Sequence, residues 1–184
     1  MLAASLSTTV LLGNLFHRMF ADPAFEALLR AQHSLIPLAV EESLRLEPPV
    51  MHLFRTQTVD RTVAGTAISR GERIVLGIAS ANRDETVYGA DAESFRPDRT
   101  PDQEHLAFGA GPHTCPGKNV ARMEARVVLE TYFDTYPQGT LRLAPDFVFE
   151  FVPMYLEYGP RRLDVVVDHA VYRAATDPHG VVPT

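Results

Sequence analysis

The stretch FGAGPHTCPG, residues 108–117, holds the single cysteine of this 184-residue chain, Cys115. Three glycines, two prolines and a histidine lie within the same ten residues. Glycines permit backbone conformations and close approaches that a side chain would block. The composition therefore predicts a loop whose backbone is shaped around the sulfur atom, and the chemistry that uses this thiol decides the interpretation of the whole chain.

Three ordinary explanations of an isolated cysteine come first. A zinc site needs three or four ligands, and His113 is the one nearby partner in the sequence. A nucleophilic cysteine is an open alternative, because any of the seven histidines could activate it without being close in sequence. A buried structural cysteine is the default for a lone thiol, but that role does not require the surrounding glycines.

The position of the cysteine favours a thiolate that binds a metal. Apolar spacing predicts a helix over residues 117–136, and Pro116 suits its first position. At a helix N-terminus the dipole and the unpaired N–H groups stabilise a negatively charged sulfur. Haem iron accepts an axial thiolate of this kind.

The segment FGAGPHTCPGKNVARMEA resembles the haem-binding loop and following helix of the cytochrome P-450 haem-thiolate monooxygenases. Four residues stand at that family's signature positions: Phe108, Gly111, Cys115 and Gly117. The resemblance implies haem b (iron protoporphyrin IX) as the cofactor and Cys115 as the ligand of its iron. It also implies cofactor contacts from the loop residues Phe108, Gly109, Gly111 and Gly117.

A second pattern of the family lies in a predicted helix upstream. The sequence EESLR places Glu42 and Arg45 three residues apart on one helix face, where they could simply form a surface ion pair. The resemblance assigns them, with Arg99 of FRPDR, to a buried triad behind the haem. Such a triad would brace the irregular segment against the helix and would serve folding rather than catalysis.

Two cationic side chains are matched to the haem propionates. Arg55 in PPVMHLFR and His113 stand where the family places such contacts. Propionates are anionic, and arginine offers them a forked, charge-assisted grip. A solvated strand arginine and a loop histidine are the alternatives. The neighbouring apolar residues are expected on the substrate side: Val50, Met51 and Leu53.

The segment ASLSTT, residues 4–9, resembles the family's distal helix, which crosses over the oxygen-binding side of the haem. Ala4 and Thr8 match the pattern, whereas Ser5 replaces a glycine and Ser7 replaces an acid. The resemblance gives Thr8 a role in proton delivery, and Ser7 takes the place of the usual proton relay. The alternative is a hydroxyl group bonded back to a carbonyl one turn earlier.

Around these motifs the pattern predicts a mainly helical chain with small β-sheets (α+β), the C-terminal part of the cytochrome P-450 fold. Further helices are predicted over 2–20, 22–32 and 37–46, and strands over 62–68, 73–79, 147–159 and 161–167. Residues 82–106 read as a long irregular segment. Residues 1–168 are expected to form the C-terminal portion of the haem-thiolate domain and residues 169–184 a weakly patterned tail.

Composition and charge limit the partners. The chain is 46% hydrophobic and carries 17 basic against 23 acidic residues, for a net charge of −6. This balance disfavours nucleic acid or an anionic membrane as a partner. One cysteine suits a reducing cytoplasm, and the opening segment lacks the charged start and cleavage site of a signal peptide. We therefore expect a cytoplasmic protein.

The resemblance implies an enzyme that uses O₂ and two electrons to oxidise a small organic substrate. A ferredoxin/ferredoxin reductase-type donor would supply the electrons, and Lys118, Arg122 and Arg126 lie at helical spacing beside the cysteine as candidate docking charges. A solvated helix surface is the alternative. The second class of function is a truncated or degenerate, non-catalytic haem-binding or interaction module, or one chain of a split enzyme completed by a separate N-terminal chain.

Overall fold

The computed structural model describes residues 2–100, 104–152 and 156–176. Helices provide most of the framework: α1 (Leu2–Ala21), α2 (Pro23–Ala31), α3 (Ile36–Leu46), α4 (Ile78–Ala81), α5 (Glu85–Tyr88), α6 (Lys118–Thr135) and α7 (His169–Thr176). Short 3₁₀ turns cover His33–Leu35, Leu106–Phe108 and Gly111–His113. The strands are β1 (His52–Thr56), β2 (Arg61–Val63), β3 (Thr66–Ile68), β4 (Arg73–Gly77), β5 (Leu141–Leu143) and β6 (Val165–Val167).

The four long helices predicted from periodicity and caps are confirmed. In α2 the Asp22 carboxylate accepts hydrogen bonds from the N–H groups of Ala24 and Phe25, and Pro23 occupies the first turn, where its missing N–H costs nothing. Helix α3 ends at Leu46, just before Pro48-Pro49. The bounds of these helices agree with the predicted ones to within two residues.

The core lies where α1, α2, α3 and α6 meet. Each of these helices turns an apolar face inward, and the side chains at the centre are fully buried. The central set is Leu15 and Met19 of α1, Leu29 of α2, Ile36 and Ala39 of α3, and Ala125 and Leu129 of α6. This packing holds α1 and α6 as neighbours, so residues far apart in sequence can share one site.

The predicted strand over 62–68 is wrong, because that segment is a hairpin. Strands β2 and β3 pair antiparallel with Val63 opposite Thr66. The two residues between them, Ala64 and Gly65, both have positive φ (49° and 81°), as a tight two-residue hairpin loop requires. The predicted strand over 73–79 forms β4 but pairs with β1, the segment of Arg55, rather than with its predicted neighbour.

The C-terminal strand predictions are largely wrong. Residues 147–159 contribute isolated bridges, Phe151 with Pro160 and Val50 with Glu157, over the part that is described. The strand over 161–167 shortens to β6, which pairs with β5. Proline lacks the N–H group that a ladder needs; in the sequence Pro153 stands inside the first predicted strand and Pro160 between the two. The first half of the predicted tail forms α7.

The segment over 82–106 is irregular in its described residues apart from α5 and the beginning of a 3₁₀ turn, as predicted. Within the described ranges, no helix is both long enough and apolar enough to cross a membrane.

Candidate functional site

A cavity of about 890 Å³ opens between α1, the segment joining α3 to β1, the cysteine loop and the start of α6. Its walls are mainly apolar, and its volume is in the range of small-molecule and cofactor sites. Helix α1 contributes Ser5, Ser7, Thr8, Thr9, Leu11 and Leu12. The other walls come from Leu44, Pro49, Val50, Leu53, Ala107, Phe108, Gly109, His113, Cys115, Gly117, Val120, Ala121 and Glu124.

The cysteine loop is closed by its own backbone. The N–H of Cys115 donates to the carbonyl of Phe108 at 2.8 Å. Between these two residues, the backbone N–H and the hydroxyl of Thr114 both donate to the carbonyl of Gly111, at 3.0 and 2.8 Å. Cys115 is half-buried and lines the cavity. The loop therefore presents one sulfur atom to an apolar space.

The loop glycines differ in what they contribute. Gly109 has φ 70° and ψ −174°, a backbone region that is essentially restricted to glycine. Gly111 also has a positive φ, 73°. Gly117 has φ −88° and ψ 4°, a conformation that other residues also adopt, so its backbone shape does not itself require glycine. A Cβ atom at Gly117 would lie 3.9 Å from the sulfur of Cys115.

Helix α6 begins later than predicted. Its first residue is Lys118 and Gly117 occupies the capping position, so Pro116 lies before the helix rather than in its first turn. The reason is a turn in which the N–H of Lys118 approaches the carbonyl of Cys115 at 3.4 Å. Cys115 thus lies three residues before the helix, in the turn that leads into it.

The structure brings the α1 hydroxyls and the cysteine to one cavity. Ser7 and Thr8 both line it, as does Thr9. The hydroxyl of Thr9 donates to the carbonyl of Ser5 at 2.8 Å, which is the bond to the previous turn that serine and threonine make in helices. The side chain of Ala4 lies outside the described residues.

The two residues matched to propionates differ in their position relative to the cavity. His113 lines it. Arg55 is exposed on β1, where its guanidinium donates to the carbonyl of Phe54 at 2.8 Å, and it is not part of the lining. Residues two apart on a strand face the same side, so Arg55 follows Leu53 of the lining along that side of β1. Their contact with a propionate stays a prediction.

Two of the three apolar residues expected on the substrate side line the cavity, Val50 and Leu53. Met51 does not. Its backbone instead joins two other segments, since its N–H donates to Leu156 and its carbonyl accepts from Ile78, both at 2.8 Å.

The structure brings Glu42, Arg45 and Arg99 together. Arg45 forms a two-pronged ion pair with the Glu42 carboxylate (Nε–Oε2 2.7 Å, Nη2–Oε1 2.8 Å). Arg99 reaches the same carboxylate from the irregular segment (Nε–Oε1 3.1 Å). The side chains of Arg45, Glu42 and Arg99 are only 1%, 2% and 8% exposed, so their charges need partners. Arg45 depends on Glu42, and Arg99 has Glu42 and also the Asp91 carboxylate at 3.2 Å.

The triad also holds the irregular segment to α3. Arg45 donates to the carbonyls of Asn82, Ala92 and Ser94. Arg99 donates to those of Tyr88, Asp91 and Ser94. A segment with little regular structure thereby satisfies its buried carbonyls with guanidinium groups. Asn82 carries the connection onward, because its side-chain oxygen accepts from the N–H of Leu106 at 2.7 Å.

A second polar cluster was missed by the sequence analysis. Glu41 of α3 forms a two-pronged ion pair with Arg122 of α6 (Nε–Oε1 and Nη2–Oε2, both 2.7 Å). The Nε2 atom of His105 lies 3.2 Å from the same carboxylate. Burial raises the pKa of Glu41, but the nearby His105 ring and the two hydrogen bonds from Arg122 outweigh it and hold the pKa at about 2. No spacing in the sequence indicates this contact between distant helices.

This cluster changes the interpretation of the candidate docking charges. Arg122 is engaged by Glu41 and stands over the ring of Phe108, 4.8 Å from its centroid. Arg126 forms an exposed pair with Glu130 at 3.7 Å. Lys118 borders a smaller hollow of about 320 Å³ on the loop. Arg122 is therefore a half-buried structural cation rather than a solvated surface charge.

The lining from α6 was also missed, although its signal was present. Val120, Ala121 and Glu124 follow the predicted contact Gly117 at the spacing of three and four residues that marks one face of a helix. The sequence analysis placed candidate docking charges on this helix but no residue of the cavity wall. Its first two turns border the cavity, and the buried residues begin at Ala125.

The residues present fit a haem. Within the described part of the chain no group of three or more His, Cys, Asp or Glu side chains could hold a metal ion on its own. A metal carried in an organic macrocycle needs a single protein ligand, and the cavity offers one sulfur atom among apolar walls.

Comparison with known proteins agrees with this geometry. The sequence profile of the family described as Cytochrome P450 matches residues 24–138, a range that includes Cys115. The steroid C26-monooxygenase of Mycolicibacterium smegmatis (strain ATCC 700084 / mc(2)155) is 42% identical over 138 residues, which are 75% of this chain and 33% of that protein. The chain thus spans about a third of the length of this curated relative.

Two solved structures extend the similarity to the fold. The crystal structure of CYP109E1 from Bacillus megaterium in complex with testosterone matches with a TM-score of 0.84 and 34% identity, over 90% of this chain and 45% of that one. An intact type IV self-sufficient cytochrome P450 monooxygenase matches with a TM-score of 0.85 and 32% identity, over 95% of this chain and 22% of that one.

The sequence predicted a mainly helical chain that forms part of a larger fold, and these matches agree with that prediction. More than half of the chain matches the family profile, and that part carries both the cysteine loop and the Glu42–Arg45–Arg99 triad. The chain belongs to the cytochrome P450 family.

Proposed function

We propose that this chain is the C-terminal part of a haem-dependent monooxygenase that oxidises a small organic substrate with O₂. One observation carries the proposal: a half-buried cysteine sulfur in a backbone-closed loop borders a cavity that also receives the α1 hydroxyls. Relatives that are named as monooxygenases and hydroxylases support the reaction class. Because the chain spans a minor part of each, the complete activity belongs to the larger protein.

In this proposal Cys115 binds the iron of haem b as a thiolate. When bound, haem supplies the redox-active iron that carries the oxidation. Phe108, Gly109, Gly111 and Gly117 shape the loop beside it, and Ala4 belongs to the distal helix that covers the other side. Leu11, Leu12 and Leu44 exclude water from the cavity, which strengthens electrostatic interactions inside it. His113 and Arg55 are the proposed partners of the propionates.

Ser7 and Thr8 are the residues that we propose hold and move protons. Both are hydroxyl-bearing residues of the cavity wall formed by α1. A hydroxyl group both donates and accepts, so it can pass a proton that it does not itself keep. Ser7 stands where the family pattern described above has an acid, and it would hold a water molecule as the relay in place of the carboxylate.

The electrons would come from a ferredoxin/ferredoxin reductase-type donor. Lys118 and Arg126 are the charges left for docking on the cysteine side, since Arg122 is engaged by Glu41. The presence of one cysteine in the chain supports a reducing compartment, and we place the protein in the cytoplasm.

A second candidate is a haem-binding or interaction module without turnover, or one chain of a split enzyme that needs a separate N-terminal chain. Ser7 in place of the acid of the family pattern favours it. Substrate-dependent oxygen consumption with a redox partner separates this candidate from the enzyme.

The test of haem ligation uses the full chain with added hemin. We expect the reduced protein to give a carbon monoxide difference spectrum with a thiolate signature and Cys115→Ala to lose it. Cys115→Ser keeps the size of the side chain and tests the sulfur alone. An identical spectrum for the wild type and Cys115→Ala would refute thiolate ligation.

The test of proton delivery compares Thr8→Ala with Thr9→Ala, its neighbour in the same wall. We expect Thr8→Ala to uncouple oxygen consumption from product formation once the protein turns over, whereas Thr9→Ala retains coupling. Equal coupling in both variants would remove Thr8 from the mechanism.

A further inference from the structure

We propose that Glu41 is a positioning residue that holds the cysteine loop in place, acting through Arg122 and Phe108. The proposal deepens the function above, since it rests on that function only for the chemistry assigned to Cys115. Glu41 lies one residue before the triad carboxylate of Glu42 but contacts α6 and His105, next to the cysteine loop.

The first link joins two helices. The Glu41 carboxylate of α3 and the Arg122 guanidinium of α6 meet with both prongs at 2.7 Å, the fork-to-fork geometry that fixes orientation as well as distance. Their side chains are 32% and 27% exposed. The pair is thus partly shielded from solvent, and salt screens it less than a surface pair.

The second link joins this pair to the loop. The Arg122 guanidinium lies 4.8 Å from the centroid of the Phe108 ring, within the range of a cation–π contact. The His105 ring lies 5.8 Å from the same ring. The Nδ1 atom of His105 accepts from the N–H of Ala107, so in the neutral ring the proton is on Nε2, the nitrogen beside Glu41.

The third link reaches the cysteine. The carbonyl of Phe108 accepts the N–H of Cys115 at 2.8 Å, the bond that closes the loop. A displacement of Phe108 therefore moves the acceptor on which the backbone of Cys115 depends. Glu41, Arg122, Phe108 and Cys115 form one continuous series of contacts from α3 to the sulfur-bearing residue.

Helix geometry explains why two adjacent acids act separately. Consecutive residues of an α-helix point about 100° apart. Glu42 faces Arg45 and Arg99 and holds the irregular segment, whereas Glu41 faces α6 and the loop. Loss of Glu41 should therefore loosen the cysteine loop and the adjoining His105, and leave the residues that the triad holds, 82–99, unchanged.

The test is amide hydrogen exchange on the full chain without haem, comparing Glu41→Gln and Arg122→Gln with the wild type. We expect exchange at the Cys115 amide to rise about fivefold in both variants, the factor that loss of a modest stabilising contact produces. Amides inside α2 should keep their rates. Glu130→Gln is the matched control, because it removes an exposed pair on the same helix as Arg122.

Glu41→Asp keeps the negative charge on a shorter side chain. The Cys115 amide should therefore be better protected from exchange in Glu41→Asp than in Glu41→Gln. Unchanged exchange at Cys115 in both Gln variants, or an equal rise at every amide, would overturn the positioning role. Because no haem is present, this result is independent of the spectrum of the hemin-loaded protein. A chain that fails to bind hemin but shows the expected exchange contradicts the proposed function alone.

Discussion

Gly109 shows how much of the loop depends on a single backbone conformation. Its φ of 70° and ψ of −174° turn the chain directly after Phe108, whose carbonyl then accepts the N–H of Cys115. Residues with a Cβ reach this region only with strain. The space around Gly109 is ample, since the nearest atom to an added Cβ, the carbonyl oxygen of His113, would lie at 3.8 Å. The requirement is therefore conformational rather than steric.

Gly109→Ala should destabilise the chain by about 1–3 kcal/mol through backbone strain alone. The measurement is the free energy of unfolding from urea denaturation. Gly117→Ala is the matched control, because its φ of −88° suits alanine and the new Cβ would make an ordinary contact with the sulfur of Cys115 at 3.9 Å. Equal losses at the two positions would contradict this distinction.

At the scale of the elements, α3 connects to two different segments through adjacent carboxylates. Glu42 connects it to the irregular segment through Arg45 and Arg99. Glu41 connects it to α6 through Arg122 and to His105, which ends that segment beside the cysteine loop. Neither the cysteine loop nor the irregular segment has many backbone hydrogen bonds of regular secondary structure. Their shape therefore depends on the charged side chains and on the hydrogen bonds that these donate to backbone carbonyls.

Glu42→Gln should cost about 3–5 kcal/mol, because it leaves the buried Arg45 guanidinium without a compensating charge and Arg99 with the Asp91 carboxylate alone. Urea denaturation followed by circular dichroism measures the loss. Asp98→Asn is the control, since its pair with Arg96 is exposed to solvent and should contribute little to stability. If Glu42→Gln lowers the free energy of unfolding as little as Asp98→Asn does, the triad is not the main interaction that stabilises this segment.

Low pH should weaken the contact that α3 makes through Glu41. The pKa of Glu41 falls from 4.5 to about 2 on folding, so its contribution is complete above pH 4.5 and is lost as the pH drops towards 2. With screening of this partly exposed pair taken into account, we expect the loss to be about 1–2 kcal/mol. Unfolding free energies measured between pH 5 and 2.5 should fall less steeply in Glu41→Gln than in the wild type. Parallel pH profiles would exclude the stabilisation.

At the scale of the whole molecule, α6 presents an apolar face that the described residues leave uncovered. Val120, Met123 and Val127 follow helical spacing and are between 46% and 51% exposed. Exposed apolar patches promote association. The chain spans about a third of the curated relative described above, so further parts of such a protein are available to cover this face.

The isolated chain should therefore associate at high concentration through α6. Met123→Lys combined with Val127→Lys should lower the weight-average mass in sedimentation equilibrium, while the unfolding free energy stays the same because both side chains are exposed and lysine suits a helix. Val63→Lys, an exposed valine of the β2–β3 hairpin, serves as the control. Association that persists in the double variant would place the contact elsewhere.

Sequence alone was enough for the features that depend on local chemistry. Apolar spacing and caps determined the four long helices, since a helix closes its hydrogen bonds within a few residues. The spacing of Phe108, Gly111, Cys115 and Gly117 indicated the family. The hairpin at Ala64-Gly65 was missed although its signal is local, because an alanine in a left-handed turn is uncommon.

Tertiary structure decided what depends on packing between distant segments. It brought Glu41 to Arg122 across 81 positions of sequence and turned a predicted docking charge into part of the loop's support. It also placed the α1 hydroxyls and Cys115 on one cavity. Such contacts follow from how α1, α3 and α6 bury their apolar faces together, and the side-chain pairs that result have no fixed spacing along the chain.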